Sequence, residues 1–302
     1  MFGFVLPQTF LRSRQGTAVR ESLLRGFEIA EISLFADKVF RYGEPEIAVL
    51  IGRRRETGNA FRVRTRYQRV RENQIGSFAR SYVPSSTAWV DLTDAQGSSL
   101  HWPELHDLWS HLAVHPTLED MALVGQGFFH KGDDDPSLPA GVVKVSSEFV
   151  PGLTPGFSGW TEDQLTHGLP ALMWLNLAPE TIDREVLGTA QGIPQLLMNY
   201  GRVSREAWRL KTLLDEEGHP VTSRFIVVRP ASSPTPLRTL WAICNSPVAN
   251  AYASCTSGKR DVLAGDMRRL PVPDLQRSDC TVLEQAVRDY FDAARNLRAW
   301  HG

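Results

Sequence analysis

The sequence of 302 residues predicts an α/β unit over residues 1–80, a mixed α+β domain over 81–276 and a terminal helix over 277–302. Three observations indicate this arrangement. Strand and helix patterns alternate in the first unit, as they do in α/β folds. Between residues 120 and 200, short apolar runs are separated by Gly and Pro, which is typical of short strands. A single apolar stripe at helical spacing follows residue 280.

The N-terminal unit contains three predicted strands and one predicted helix. An apolar run at 2–6 predicts a buried strand that ends at a proline. Apolar residues in 15–26 recur at helical spacing, and Gly26 marks the end of that helix. Residues 29–35 and 47–51 predict two further strands. Three strands are too few for a complete doubly wound domain, so they could be the tail of a larger sheet.

In the stretch 61–67, uncharged residues alternate strictly with arginines, which predicts a strand with one basic face. A turn-rich stretch at 84–87 then indicates a domain boundary. The side chains that we expect to pack inward are Phe61, Val63, Thr65 and Tyr67, and those expected on the opposite face are Arg62, Arg64 and Arg66.

The second domain combines predicted helices and short strands. Apolar residues at helical spacing predict helices at 105–112, 204–218 and 237–253, the last of them bent or broken by a proline. Ser204 is the expected N-cap of the second of these helices, and Gly218 is its expected end. The predicted strands lie at 121–124, 142–145, 172–177 and 225–228.

The composition argues against a membrane protein and against a disulfide-stabilised protein. No apolar run approaches the ~20 residues that a membrane helix needs, and no secretory signal is recognisable. The three cysteines, Cys244, Cys255 and Cys280, are odd in number and far apart, which fits a reduced compartment. We therefore expect a soluble cytoplasmic protein with no membrane partner.

Charge is distributed unevenly along the chain, although the net charge is only −1. Residues 1–80 carry 15 bases and 8 acids, residues 81–183 carry 2 bases and 14 acids, and residues 184–302 carry 16 bases and 12 acids. The resulting charges of +7, −12 and +4 indicate a polyanionic partner for the basic parts. Arginine outnumbers lysine by 28 to 5, which either a GC-rich genome or recognition of phosphate and guanine explains.

Four segments resemble one enzyme family in their order and spacing. Residues 3–11 read Gly-Phe-Val-Leu-Pro-Gln-Thr-Phe-Leu, 19–24 read Val-Arg-Glu-Ser-Leu-Leu, 38–40 read Lys-Val-Phe and 47–51 read Ile-Ala-Val-Leu-Ile. Together they resemble the late catalytic-domain segment of N6-adenine DNA methyltransferases of restriction-modification systems. The resemblance implies that residues 1–80 are a remnant of a Rossmann-like methyltransferase sheet.

The C-terminal half resembles the target-recognition domain of the same family. The supporting segments are Gly-Gln-Gly at 125–127, Leu-Trp-Ala-Ile-Cys-Asn-Ser-Pro at 240–247 and Arg-Leu-Pro-Val-Pro at 269–273. The resemblance therefore covers almost the whole chain. It implies that double-stranded DNA is a partner of this protein.

Two motifs of the complete enzymes are not found in this sequence: the glycine-rich loop for S-adenosylmethionine and the Asn-Pro-Pro-aromatic loop. The most similar segment, Asn-Ser-Pro-Val at 245–248, lacks the second proline and the aromatic residue. The resemblance therefore implies the C-terminal portion of a methyltransferase. S-adenosylmethionine is the cofactor of the complete enzyme, and for this chain alone we expect no bound cofactor, no catalytic residue and no activity.

Eight arginines lie between residues 52 and 71, opposed within that stretch only by Glu56. A solvated strand face would explain them, but their mutual repulsion favours contact with DNA phosphates. Most such contacts position the duplex and do not read its sequence. The predicted DNA contacts are Arg53, Arg54, Arg55, Arg62, Arg64 and Arg66, together with Lys259 and Arg260 in a basic turn of the recognition region.

Phe40 is, by the same resemblance, the aromatic residue that stacks on an adenine swung out of the duplex. Methylation of an exocyclic amine requires the base to leave the helix, and an aromatic face compensates for the lost stacking. A phenylalanine packed in the core of a loop is the alternative interpretation, and Tyr42 is the second candidate for stacking.

Other chemistry-bearing patterns do not favour a site. His111 and His115 have the i, i+4 spacing of two metal ligands, but no third ligand is fixed by spacing. Asp133-Asp134-Asp135 is interpreted as a solvated acidic turn, because no Glu-x-Lys partner follows at a useful distance. We therefore predict no metal site.

Two hypotheses follow for the function. The first is the C-terminal portion of a site-specific adenine-N6 methyltransferase, which transfers a methyl group only together with its N-terminal half and which could associate with an endonuclease. The second is a non-catalytic DNA-binding specificity module. The segment immediately upstream in the genome would distinguish them.

Overall fold

The computed structural model describes residues 1–37, 39–40, 45–55, 64–92, 99–161, 164–201, 208–231, 236–256, 261–275 and 280–301. The chain forms two compact units, Met1–Glu104 and Leu105–Gly302. None of the helices in these ranges combines the length and the apolar composition that crossing a bilayer requires.

The first unit is built on a five-stranded sheet with the strand order β1-β3-β2-β4-β5. The strands β2 and β4 run parallel, and every other neighbouring pair is antiparallel. The predicted strands and helix of the first 51 residues are confirmed, with small changes at their ends. The elements are β1 (Phe2–Pro7), α1 (Thr17–Gly26), β2 (Phe27–Phe35), β3 (Ile47–Arg54), β4 (Arg64–Val70), α2 (Ile75–Ser81) and β5 (Ser86–Asp91).

One face of this sheet packs with α1 into the core of the first unit. The alternation predicted for β4 is confirmed for its described part, since Thr65 and Tyr67 are buried while Arg64 and Arg66 are exposed. The segment after β5 closes this core. Leu100 is fully buried, its backbone N–H donates to the carbonyl of Leu11 at 2.7 Å, and its carbonyl accepts a hydrogen bond from the Tyr67 hydroxyl.

The strand β1 differs from its prediction in burial. It lies at the edge of the sheet, paired only with β3, and was expected to be a buried strand. Phe4 is 45% exposed and Val5 is 58% exposed, and the two residues lie on opposite faces of the strand. The apolar run correctly predicted that these residues form a strand, but it does not specify where the strand lies in the sheet.

The predicted domain boundary near residue 80 is wrong. The stretch 84–87 connects α2 to β5 and includes the first two residues of β5, which pairs with β4 along six residues of the same sheet. Residues 81–104 belong to the first unit, and the division between the units falls after Glu104. Turn-forming residues mark the end of an element, and a short connection within a domain has the same composition as a linker between domains.

The second unit contains a four-stranded antiparallel sheet with the order β13-β12-β14-β6, and two small sheets with the orders β8-β10-β9 and β11-β7. Its elements are α3 (His106–Leu112), α4 (Leu118–Met121), β6 (Ala122–Gln126), β7 (Phe129–His130), β8 (Val145–Ser146), β9 (Thr154–Gly156), β10 (Met173–Leu175), β11 (Ile182–Arg184), β12 (Gln195–Asn199), β13 (Thr212–Asp215), β14 (Phe225–Pro230), α5 (Leu237–Cys244), α6 (Pro247–Thr256), α7 (Ala264–Met267) and α8 (Thr281–His301). The four-stranded sheet and the helices around it enclose the main core of this unit.

The helix predicted at 204–218 is wrong where the structure describes it. Residues 212–215 form β13, which pairs antiparallel with β12, and residues 204–207, including the expected N-cap Ser204, lie outside the described ranges. All four residues of β13 are buried, so its apolar residues face the core on both sides of the sheet, and this run imitates helical spacing. The Asn245 side chain completes the strand, because it accepts from the Thr212 N–H and donates to the Thr212 carbonyl.

A buried polar network connects three strands of the same sheet. The Arg229 guanidinium on β14 donates to the Gln195 side-chain oxygen on β12, at 3.1 Å from Nε and 2.9 Å from Nη2. The Gln195 amide in turn donates to Asp215 on β13 at 2.9 Å. Gln195 and Asp215 are fully buried, so the glutamine links a buried cation to a buried anion.

The C-terminal helix α8 is confirmed as a helix but is not a separate domain. Val287 on α8 is part of the main core, and Phe291 packs against Trp241 of α5 with ring centroids 5.0 Å apart. The expected separate segment 277–302 therefore belongs to the second unit. The sequence did not indicate what the apolar stripe of α8 packs against, and the structure shows that it packs against α5.

Candidate nucleic-acid interface

The predicted arginine contacts of the first unit cluster at one end of its sheet. Arg53 and Arg54 are the last residues of β3, Arg55 follows them, and Arg64 and Arg66 lie at the start of β4. The strand β2 lies between β3 and β4 and pairs with both, so it brings the two groups to the same end of the sheet. We call these five residues the arginine surface.

Three arginines of this surface form ion pairs with acids of neighbouring strands. Arg53 Nε lies 2.7 Å from Glu28 Oε2, and Arg64 Nε lies 3.8 Å from Asp91 Oδ1. Arg66 pairs with Glu31, to which its Nε donates at 3.1 Å. The structure therefore corrects the assumption that only Glu56 opposes these arginines, because the sheet brings acids from β2 and β5 beside them.

The other two arginines, Arg54 and Arg55, are exposed and form no ion pair with any residue in the described ranges. They lie next to Arg53, where β3 ends. No described acid neutralises these two side chains, so among the described predicted contacts their charge is available to a DNA phosphate.

The remaining predicted contacts have different outcomes. Arg62, Lys259, Arg260 and Tyr42 lie outside the described residues. Phe40 is described and is 49% exposed, so its side chain is at the surface and not packed in the core. Stacking of Phe40 on an extruded base stays a prediction.

A tryptophan beside the arginine surface was not identified from the sequence. Trp89 on β5 is directly opposite Arg66 on β4 and is 54% exposed. Its neighbours Ala88 and Val90 face the core side of the strand. Recognition of 86–91 as a strand would have placed Trp89 on the basic face, but the turn residues before it indicated a linker.

A second cluster of basic and aromatic side chains lies in the second unit, where β12 ends and β13 and β14 begin. We call it the basic end and define it by Trp208, Arg209, Lys211 and Arg224. Sequence reasoning missed it because three of these residues were assigned to the helix 204–218. The segment leads into β13, which pairs antiparallel with the preceding strand β12. With that assignment, the exposed tryptophan and the bases beside it would have indicated a binding surface.

The buried side chain of Asn199 organises the basic end. Its amide nitrogen donates to the carbonyls of Gly201 at 2.7 Å and Arg209 at 2.9 Å, and its oxygen accepts from the Lys211 N–H at 2.7 Å. The Tyr200 N–H donates to the Arg224 carbonyl at 3.1 Å, which ties β14 to the same place. Both flanks of the connection between β12 and β13 are thus fixed by hydrogen bonds.

The residues that follow the predicted contacts Lys259 and Arg260 in sequence lie at the basic end. Asp261, the next residue, forms an isolated β-bridge with Gly201, and the Val262 N–H donates to the Tyr200 carbonyl at 2.8 Å. Burial and the nearby Asp261 carboxylate raise the pKa of the Tyr200 hydroxyl, so Asp261 is an acid within the otherwise basic end.

The described ranges contain no group of three His, Cys, Asp or Glu side chains arranged to hold a metal ion. Among the acidic residues at 133–135, Asp133 pairs with Lys144, and its pKa is lowered chiefly by the hydrogen bond from that lysine. Asp135 accepts from the N–H of Ser137 at 2.8 Å, and hydrogen bonds from Ser137 lower its pKa. The Asp133 and Asp135 carboxylates are thus held by contacts within the protein.

Comparison with known proteins gives a likeness in fold alone. No protein-family model and no curated protein matches the sequence. Over 97% of its length, the chain matches 42% of the type IIL restriction-modification enzyme MmeI, solved in complex with DNA, at 10% identity and a TM-score of 0.53. Two weaker matches are the DrdV–DNA complex and the type IIG restriction endonuclease BpuSI. The DrdV match covers 91% of this chain and 36% of that chain at 9% identity and a TM-score of 0.44. The BpuSI match covers 96% of this chain and 42% of that chain at 12% identity and a TM-score of 0.37. The chain therefore spans about two-fifths of the length of MmeI.

Proposed function

We propose that this chain is the DNA-binding, target-recognition portion of a restriction-modification methyltransferase that modifies adenine N6. The observation that carries the proposal is the fold shared over nearly the whole chain with part of MmeI, an enzyme solved in complex with DNA. The order of the methyltransferase-like segments in the first 51 residues supports it independently.

The electrostatics of the first unit support duplex DNA as the ligand. Arg54 and Arg55 offer unpaired charge at the end of β3, and the paired Arg64 and Arg66 lie at the same end of the sheet. Arginine binds phosphate in bidentate geometry, and binding releases counterions from the duplex. Because phosphates are the same in every sequence, we assign positioning of the duplex, and not base reading, to this surface.

The edge strand β1 supports the finer proposal that the catalytic sheet continues in another polypeptide segment. Strands with apolar residues on both faces are typical of the interior of α/β sheets, where helices cover both sides. Phe4 and Val5 meet that description, yet both are exposed, and the outer edge of β1 pairs with no described strand. The N-terminal half of a methyltransferase would supply the missing neighbour.

The described residues of the first unit do not fit an S-adenosylmethionine site. A glycine-rich cofactor loop needs space beside its glycines for close approach of the ligand. A Cβ at Gly52 would lie 2.6 Å from the Phe2 ring and 2.6 Å from the Glu28 carbonyl oxygen, so the space beside Gly52 is filled by the protein. Gly3, Gly26 and Gly76 have open space, but none of them belongs to a glycine-rich loop.

A binding and reconstitution experiment tests the proposal. We expect the chain to bind a fluorescein-labelled 30-base-pair duplex with an affinity that falls steeply as salt rises. We also expect methyl transfer to DNA from tritiated S-adenosylmethionine only after a polypeptide with the two missing motifs is added. Absence of DNA binding at low salt would refute the proposal. Methyl transfer by the chain alone would refute the claim that the reaction requires the motifs of the N-terminal half.

A further inference from the structure

We infer that the basic end of the second unit is a DNA-contact surface in its own right, in which Arg224 contacts a phosphate and Trp208 contacts bases. This inference rests on the proposed DNA binding and assigns roles to residues that were not predicted as DNA contacts. It concerns a different unit and a different set of side chains from the arginine surface.

The exposure of Trp208 is the first observation. Trp208 is 56% exposed, whereas Trp109 and Trp241 of the same unit are buried in the main core. A half-exposed indole contributes little to the core, and tryptophan is enriched where proteins bind other molecules. Its position is well defined, because the adjacent Arg209 carbonyl accepts from the buried Asn199 side chain at 2.9 Å.

The charge around Trp208 is the second observation. Arg224 is exposed and forms no ion pair within the described part of the chain. The sequence of the connection 200–211 contains four bases and one acid, although its residues 202–207 lie outside the described ranges and are not included in the site. Lys211 is already engaged, since its Nζ donates to the Gln164 carbonyl at 2.8 Å. The described opposing acid is Asp261.

The third observation is a nearby indole with an unsatisfied donor. Trp160 packs on Phe225, the residue after Arg224, with ring centroids 5.5 Å apart. Its Nε1 is buried and has no hydrogen-bond partner among the described residues. The loop before it is tied to the basic end, because the Thr222 hydroxyl donates to the Ser158 carbonyl at 2.7 Å.

The combination of these features identifies the ligand chemistry. A polyanion satisfies the unpaired charge of Arg224, and a ligand with accessible apolar edges, such as the thymine methyl groups in the major groove of a duplex, satisfies Trp208. Duplex DNA has both properties, while an acidic protein surface has only the first. The two side chains thus have separable roles, since phosphate contacts release counterions and base contacts do not.

Salt-dependent binding separates these roles. The full chain and its variants are titrated against the labelled 30-base-pair duplex of mixed sequence at several salt concentrations. We expect Arg224→Gln to lower the slope of log affinity against log salt by about 0.9, which corresponds to one phosphate. We expect Trp208→Ala to weaken binding about fivefold or more with no change in slope, because an apolar contact with a base edge contributes to affinity without releasing counterions.

Matched controls are available in the same unit. Phe149→Ala removes an aromatic side chain that is 67% exposed in the acidic part of the sequence, and Arg288→Gln removes an exposed arginine of α8. Both controls should bind like the wild type, and circular dichroism should show every variant folded.

The outcomes distinguish this inference from the proposed function. If the wild-type chain binds the duplex and both Trp208→Ala and Arg224→Gln match it in affinity and slope, the inference is refuted and the proposed function stands. If the wild-type chain does not bind, the proposed function itself fails. Photocrosslinking of a 5-iodouracil duplex to Trp208, mapped by mass spectrometry, would support the base contact directly.

Discussion

The arginine surface provides a quantitative prediction, because its members differ in whether an acid already neutralises them. Arg54 and Arg55 have no described ion-pair partner, whereas Arg64 and Arg66 are paired with Asp91 and Glu31. We compare two double variants, Arg54→Gln with Arg55→Gln and Arg64→Gln with Arg66→Gln. Each removes two positive charges from the same end of the sheet, so net charge is matched.

The expected size follows from counterion release. If each unpaired arginine neutralises one phosphate, the first double variant lowers the slope of log affinity against log salt by about 1.8. Over a fourfold rise in salt, the wild type should then lose affinity about 12-fold more than this variant does. The second double variant should lower the slope by less than about 1.8, because the carboxylates of Glu31 and Asp91 remain beside the DNA and already offset part of the arginine charge.

Fluorescence anisotropy with a labelled duplex, measured at salt concentrations from about 50 to 200 mM, gives both slopes. Circular dichroism must first show that both variants are folded, because long arginine stems also cover apolar surface. Equal reductions in slope for the two variants would refute the role of the ion pairs. No reduction for the Arg54 and Arg55 variant would refute DNA contact at the end of β3.

Three further predictions concern other parts of the chain. In a reconstituted full-length enzyme, Phe40→Ala should reduce the fluorescence of 2-aminopurine at the target position without lowering the melting temperature, and an unchanged signal would remove Phe40 from base extrusion. Gln195→Leu should lower the free energy of unfolding of the second unit by about 3 kcal/mol in a urea titration, because two buried charged groups lose a hydrogen-bond partner; a change below about 1 kcal/mol would contradict this. Burial lowers the pKa of His130, so its protonation opposes folding, and stability should fall as the pH drops below its unfolded value of about 6.5. In His130→Gln, melting temperatures should fall less between about pH 7 and 5, and an unchanged profile would contradict this assignment.

Local patterns specified much of the fold. Helix α1 and strands β2 and β3 were predicted because helical spacing and apolar runs are local properties of the chain. The break between α5 and α6 was also predictable, since Pro247 cannot continue a helix and is the first residue of the next one.

Properties that depend on distant residues could not be predicted in the same way. The helix expected at 204–218 became β13 because the preceding strand β12 and the Asn245 side chain, which is distant in sequence, satisfy its backbone. The apolar spacing of Leu210, Leu213 and Leu214 fits a helix face and a strand buried on both sides equally well.

The candidate site shows the same limit. The exposed arginines of β4 followed from strict alternation, but their pairing with Glu31 and Asp91 depends on which strands lie next to β4. Strand order is a tertiary property, so the sequence overstated the free positive charge of this region. The basic end was missed for a related reason, since only the pairing of three strands places Arg224 and Trp208 at the same end of the sheet.

The closure of the first unit by Leu100 has a consequence for its synthesis on the ribosome. The buried Leu100 bonds to Leu11 through its N–H and to Tyr67 through its carbonyl, so the first and last parts of the unit are joined at this residue. A nascent chain that has emerged only to residue 80 has neither β5 nor this closing contact. The unit therefore completes its core only after residue 100 has left the exit tunnel, and a separately expressed version should extend to Glu104 to remain folded.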